Sequence, residues 1–210
     1  MPRRSTSSEE QANAPAETGR RRVPTPPQPL SGRVITLPRP SGVSPDPTSI
    51  WWFLEPEHDY TPVAFREATV SARVKVLLLR AEEYAKRMGV PVPLQPCPVA
   101  CEEARASADP DGQRHGVELS LAGLSLDEAK ALVHAVRKAG FAAWLRGVGE
   151  KGGRGIAPHL HALPLRDQTL SLLERAQVDA YRRGLDGRLD GAPDADADVG
   201  RPRPAWDIPT

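Results

Sequence analysis

The stretch SLDEAKALVHAVRKAG, residues 125–140, carries both ends of a helix in its own letters. Ser125 and Glu128 stand at the spacing of a capping box, in which each side chain satisfies the other residue's backbone N–H. Leu132, Val133 and Val136 then share one helical face, and Gly140 is placed to stop the last turn. The same start recurs as Ser171 and Glu174 in SLLERAQVDAYRRG. An earlier run, SARVKVLLLRAEEYAKRMG, sets Val74, Leu77, Leu78, Ala81, Tyr84 and Ala85 at helical spacing ahead of Gly89. Three helices are therefore predicted, the first two near 71–88 and 125–139.

Short extended runs lie between them. HGVELSL alternates, so Val117 and Leu119 share one face of a strand while Glu118 and Ser120 share the other. FAAWLR and HLHALPL read as further strands. VPVPLQ reads as a short edge strand, because its prolines cannot donate to a ladder. The order helix, strand, strand, helix, strand, strand, helix leaves strand neighbours joined by loops. That order predicts an α+β fold, a small antiparallel sheet backed by helices, with 116–121 and 159–163 among its central strands.

The ends differ in composition. Residues 1–48 hold ten of the 23 prolines and little apolar content, so a disordered or extended proline-rich arm is expected. Arg20, Arg21 and Arg22 read as solvated linker within it. Residues 49–68 contain IWWFLEPEHDY, where Trp51, Trp52 and Phe53 are expected to dock on the domain's own core or to engage a partner. The α+β domain is assigned to 69–185. Residues 186–210, with DGRLDGAPDADAD, read as a flexible acidic, proline-rich tail, since the glycine and closing glutamate of a calcium loop are missing.

With 28 Lys and Arg against 27 Asp and Glu, the charge calls for neither a polyelectrolyte partner, nucleic acid included, nor a membrane. No apolar run of about 18 residues predicts a membrane span. The first residues are basic but no apolar stretch of a secretion signal follows them. A cytoplasmic location is expected, or release by lysis or within a larger assembly.

Candidate chemistry centres on GIAPHLHALPL, residues 155–165, which holds two of the five histidines. On a strand, His159 and His161 point one way while Leu160 and Ala162 point the other. Two imidazoles side by side suit zinc when a neighbouring strand brings further ligands. They equally suit half-buried histidines bonded to backbone or water. Cys97 and Cys101, in PCPVAC, are compatible with free thiols, a local disulfide, or half of a zinc site shared with these histidines. His134 reads as an exposed or partly packed helix residue, and Trp144 as core or groove wall.

From about Val74 to Trp206, the segments VLLLRAEEYAKRMGV, GVELS, VRKAGFAAWLR, PHLHA and AQVDAYRRGLDG resemble the zinc D-Ala-D-Ala carboxypeptidase and Hedgehog-type peptidase fold, in particular actinobacterial cell-wall members. In that family zinc is held by a histidine and an aspartate in S-x-H-x-x-G-x-A-x-D and by a later histidine, with a glutamate three residues before the latter as base. The resemblance places Glu118 at the aspartate, Asp111 at the first histidine, His161 at the last histidine and Pro158 at the base. It implies a metal set of Asp111, Glu118 and His161, harder and less zinc-selective than the family's, so that zinc is bound weakly or is absent. His159 or His115 is then left to act as base. Asp111, in ADPDGQ, also suits a turn residue, and Glu118 a solvated strand residue. Two functions follow from the resemblance. One is a catalytically degenerate binding or structural module that engages a peptidoglycan peptide, or a protein partner through the N-terminal arm. The other is an active zinc-dependent peptidase cleaving peptidoglycan stem peptides.

Overall fold

The computed structural model describes residues 53–96, 116–147, 157–188 and 190–207. The fold is α+β: among the described residues there are two small antiparallel sheets, three α-helices and two short 3-10 helices. The proline-rich arm lies outside the described residues.

The first elements are a hairpin, β1 (Pro62–Phe65) and β2 (Ala68–Ser71), in register from Pro62 opposite Ser71 to Phe65 opposite Ala68. It falls across the expected boundary at 68. Its two-residue turn contains Arg66 at φ +54° rather than the asparagine or glycine that marks such turns in a sequence.

Helix α1 (Ala72–Arg87) begins where Ser71 Oγ accepts the Val74 N–H at 3.1 Å. Helix α2 (Leu126–Ala139) opens on the expected capping box: Ser125 N–H donates to Glu128 Oε2 at 2.7 Å and Glu128 N–H donates to Ser125 Oγ at 3.3 Å. Helix α3 (Leu172–Arg183) repeats that arrangement with Ser171 and Glu174. Gly140 closes α2 at φ +119°. A side chain there would also meet the Trp206 ring, 2.5 Å from an ideal Cβ, so two separate constraints select glycine.

The main sheet consists of β3 (Val117–Ser120), β4 (Phe141–Arg146) and β5 (His159–Pro164), in the order β3-β5-β4. Among the described residues, β5 alone is central. The 116–121 stretch, expected to be central too, is there a border strand, its free side met at the end of the expected VPVPLQ strand by a bond from Ser120 N–H to Gln95 O at 2.9 Å and just after it by a Pro96–Leu119 bridge. Prolines leave that segment too few donors for a ladder.

Alternation gives the sheet two buried faces. Val117, Leu119, Phe141, Ala143, Leu160 and Ala162 pack against α1 and α2, including Leu77, Leu78, Leu132 and Val136. Fully burying each such leucine contributes about 1.5–3 kcal/mol. The opposite face carries Ala142, Trp144 and Leu163 against Val178 and Tyr181 of α3.

The expected flexible tail is instead part of the fold through residue 207. Arg137 of α2 is fully buried and spends its five donors on Ala143 O, Asp196 O, Gly200 O and the Asp194 carboxylate, the last at 2.8 Å. Asp196 Oδ2 accepts the Leu145 N–H of β4 at 2.8 Å, occupying a sheet edge. Asp194 and Asp196 of the tail are thus buried against a cation and a backbone donor rather than solvated.

Of the aromatic segment, the structure describes the residues from Phe53 onward. Phe53 is 57% exposed, so it does not dock on the core, and Trp51 and Trp52 lie outside the described residues. Its backbone and Glu55 anchor the segment: Leu54 O accepts from Arg80 at 2.8 Å, Pro56 O accepts from buried Arg73, and the Glu55 carboxylate accepts from Arg73 at 3.0 Å. Among the described residues no helix is long and apolar enough to cross a membrane.

Candidate functional site

Strand register builds the site. Glu118 of β3 and Trp144 of β4 both lie opposite His161 of β5, while Ser120 and Arg146 both lie opposite His159. Directly opposed residues share a face, so Glu118, His161 and Trp144 form one rung across the sheet and Ser120, His159 and Arg146 the next. This is the face turned toward α3, and Glu118, His159, His161 and Arg146 are all buried there.

The polar contacts define the protonation pattern. His161 Nδ1 lies 2.8 Å from Glu118 Oε1. An ionised carboxylate only accepts, so Nδ1 carries the proton and donates it. His159 Nδ1 lies 2.9 Å from Ala157 O, and the same reasoning makes it a donor. His159 Nε2 approaches Glu118 Oε2 at 3.4 Å, an electrostatic contact longer than a good hydrogen bond. Glu118 Oε2 and His161 Nε2 are buried without a hydrogen-bond partner. Burial pushes the Glu118 carboxyl up, but the hydrogen bond from His161 and the fields of His161, His159 and Arg146 outweigh it and hold it below the ordinary carboxylate range.

Aromatic packing fixes the imidazole. The Trp144 ring stacks on His161 with centroids 5.9 Å apart and planes 21° from parallel. Trp144 is itself held by Nε1–H donating to Leu185 O at 3.1 Å and by an edge contact with Tyr181 at 5.8 Å. Arg146 lies 5.4 Å from the Trp144 ring and donates to Asp186 O at 2.6 Å.

Glu118, His159 and His161 are thus brought together, as expected, on one face. The solvated reading of Glu118 is overturned, because the carboxylate is buried and bonded. Asp111, His115, Cys97 and Cys101 lie outside the described residues. Among the described residues no group of three His, Cys, Asp or Glu side chains is arranged to hold a metal ion. Two ligand atoms on a tetrahedral zinc stand about 3.3 Å apart, so the 2.8 Å between His161 Nδ1 and Glu118 Oε1 is the spacing of a shared proton. To take an ion between them, that pair would have to open.

Arg146 and Ser120 were not singled out from the sequence, although alternation in FAAWLR and GVELS already set them on the face of Trp144 and Glu118. His134, as expected, is a partly packed helix residue, with Nδ1 donating to Val199 O at 2.8 Å. No family model, curated protein or solved structure matches the chain.

Proposed function

We propose that the chain is a catalytically degenerate relative of peptidoglycan-cleaving zinc peptidases, serving as a binding module. The observation that carries this reading is the 2.8 Å bond between Glu118 and His161. It engages on each other one nitrogen and one oxygen of the two side chains that the resemblance assigns to the metal, leaving His161 Nε2 and Glu118 Oε2 without partners. Pro158, at the position of the base, has no group that takes up a proton. The proposed ligand is a peptidoglycan peptide, met on lysis or from within a larger assembly, or a protein partner taken by the N-terminal arm. Exposed Phe53, next to Trp51 and Trp52 in the chain, supports the arm's part in this.

One observation favours the second reading, an active zinc-dependent peptidase. His159 Nε2 lies 3.4 Å from Glu118 Oε2, which sets beside the site an imidazole that can act as a substitute base while Nε2 carries no proton. In that case zinc would be held by Glu118 and His161 with Asp111, would polarise the scissile carbonyl and activate water, and the Glu118–His161 bond would open to admit it.

Stem-peptide cleavage with added zinc separates the two, measured as release of new amines from purified peptidoglycan. The proteins compared are the natural chain, a His161→Ala variant and an Asp111→His, Pro158→Glu double variant. The module reading expects no cleavage by the natural chain together with retained binding of the peptide. Cleavage by the natural chain that His161→Ala abolishes would establish the enzyme, and absence of both binding and cleavage would overturn both readings.

A further inference from the structure

The segment that leads into the first hairpin carries a second cluster of titratable side chains, sharing no residue with the Glu118 site. Tyr60 Oη lies 2.7 Å from His58 Nδ1, and His58 Nε2 lies 3.2 Å from Glu55 Oε1. Tyr60 Oη also accepts the Gln168 N–H at 3.0 Å. Glu55 is fixed in turn by Arg73 at 3.0 Å and by Arg166 at 3.2 Å. The segment is pinned to the start of α1, where the Ala72 N–H donates to Thr61 O and the Arg73 N–H to Asp59 O, both at 2.9 Å. The fold thus seats all three side chains, while His58 stays 37% exposed and Tyr60 is half-buried.

The partners assign the protons. An ionised carboxylate only accepts, so in the neutral imidazole the nitrogen beside Glu55, Nε2, carries the proton and Nδ1 is left as the acceptor. A backbone amide only donates, so Tyr60 Oη receives the Gln168 proton on a lone pair and directs its own toward Nδ1. Hydroxyl, imidazole and carboxylate then stand in the order that activates a nucleophile: a base within hydrogen-bond reach of it, and a third group orienting the base. As Oη attacks, His58 takes its proton, Glu55 faces the resulting imidazolium, and the Gln168 N–H faces the charge growing on Oη.

We propose that Tyr60 is a covalent modification site, a nucleophile that takes an acyl group from an activated ester. A bond forms between Tyr60 Oη and the acyl carbon, and the bond from that carbon to the leaving oxygen breaks with its electron pair. The phenol proton passes to His58 Nδ1 and on to the leaving oxygen or to water, so nothing is oxidised or reduced. Acyl transfer fits this set because attack and departure each move one proton, which a single imidazole can carry. The product is an aryl ester, so the donor must release a group at least as acidic as a phenol. The cluster is separate from Glu118 and His161, and it stands whichever way the stem-peptide experiment falls.

The test is exposure of the full chain to p-nitrophenyl acetate, with acetylation located by peptide mass mapping and its rate compared with that of N-acetyltyrosinamide in the same solution. Tyr60 is expected to acetylate at least about tenfold faster than the free phenol, and His58→Gln to remove that excess. Tyr84 and Tyr181, whose phenols burial pushes up, are expected to lag, and an unchanged rate at Tyr84 shows that a variant has kept its fold. His58→Asn serves the same purpose should His58→Gln lose it. Glu55→Gln is expected to slow Tyr60 and, as a positioning role requires, to remove the preference for the Nε2–H tautomer of His58 seen by nitrogen NMR. A Tyr60 rate no greater than that of the free phenol, a rate that the His58 variants leave unchanged, or an acetyl group held on His58 instead would overturn the proposal.

Discussion

Glu118 and His161 are register partners on β3 and β5 and share a 2.8 Å hydrogen bond on a buried face of the sheet. The bond favours the charged carboxylate where burial alone would disfavour it. The folded-state pKa of Glu118 is depressed, so its stabilising contribution is present above the unfolded value of about 4.3 and is lost as pH falls through the folded one. Urea unfolding of the natural chain and of Glu118→Gln should differ at neutral pH and converge in acid. Glu118→Ala leaves the His161 Nδ1–H buried without an acceptor and should cost about 1–3 kcal/mol. A difference that persists unchanged at pH values where carboxylates are protonated would contradict this account.

Arg137 and Asp194 form an ion pair in which both side chains are fully buried. Removing the cation strands a carboxylate and leaves the carbonyls of Ala143, Asp196 and Gly200 without their donors. Arg137→Met should cost about 3–5 kcal/mol, read as a lowered thermal midpoint. A further Asp194→Asn change in the same chain should recover part of that loss.

Gly140→Ala should be destabilising for two separable reasons, a φ of +119° and the Trp206 ring 2.5 Å from the new Cβ. The backbone part is about 1–2 kcal/mol. In a Trp206→Ala background the steric part disappears, so the alanine substitution should cost less there than in the natural chain. Equal costs in both backgrounds would show that the ring yields freely.

Burial pushes the Tyr181 phenol up to about 12. Since the folded-state value lies above the unfolded one of about 10, stability should be lost as pH rises between them. Absorbance titration should show Tyr181 ionising last among the three tyrosines or only on unfolding, and Tyr181→Phe should remove that alkaline sensitivity. Ordinary ionisation near pH 10 in the folded chain would refute the burial argument.

The three helices were legible because their signals are local. Ser125 with Glu128, Ser171 with Glu174, and Gly140 act within a turn of their own helix. The shared face of His159 and His161 was legible for the same kind of reason, since alternation along a strand requires no partner. The hairpin at 62–71 was not, because Arg66 occupies a left-handed turn position without the residue type that announces one. What tertiary structure alone decided was which residues meet. The Glu118–His161 bond joins positions 43 apart and the Arg137–Asp194 pair joins positions 57 apart. One residue of slip in strand pairing would have turned Glu118 away from both histidines. Likewise, an acidic tail reads as solvated until a buried guanidinium supplies its counter-charge. Caps and periodicity are properties of neighbouring residues, whereas register and buried ion pairs exist only once distant segments have packed.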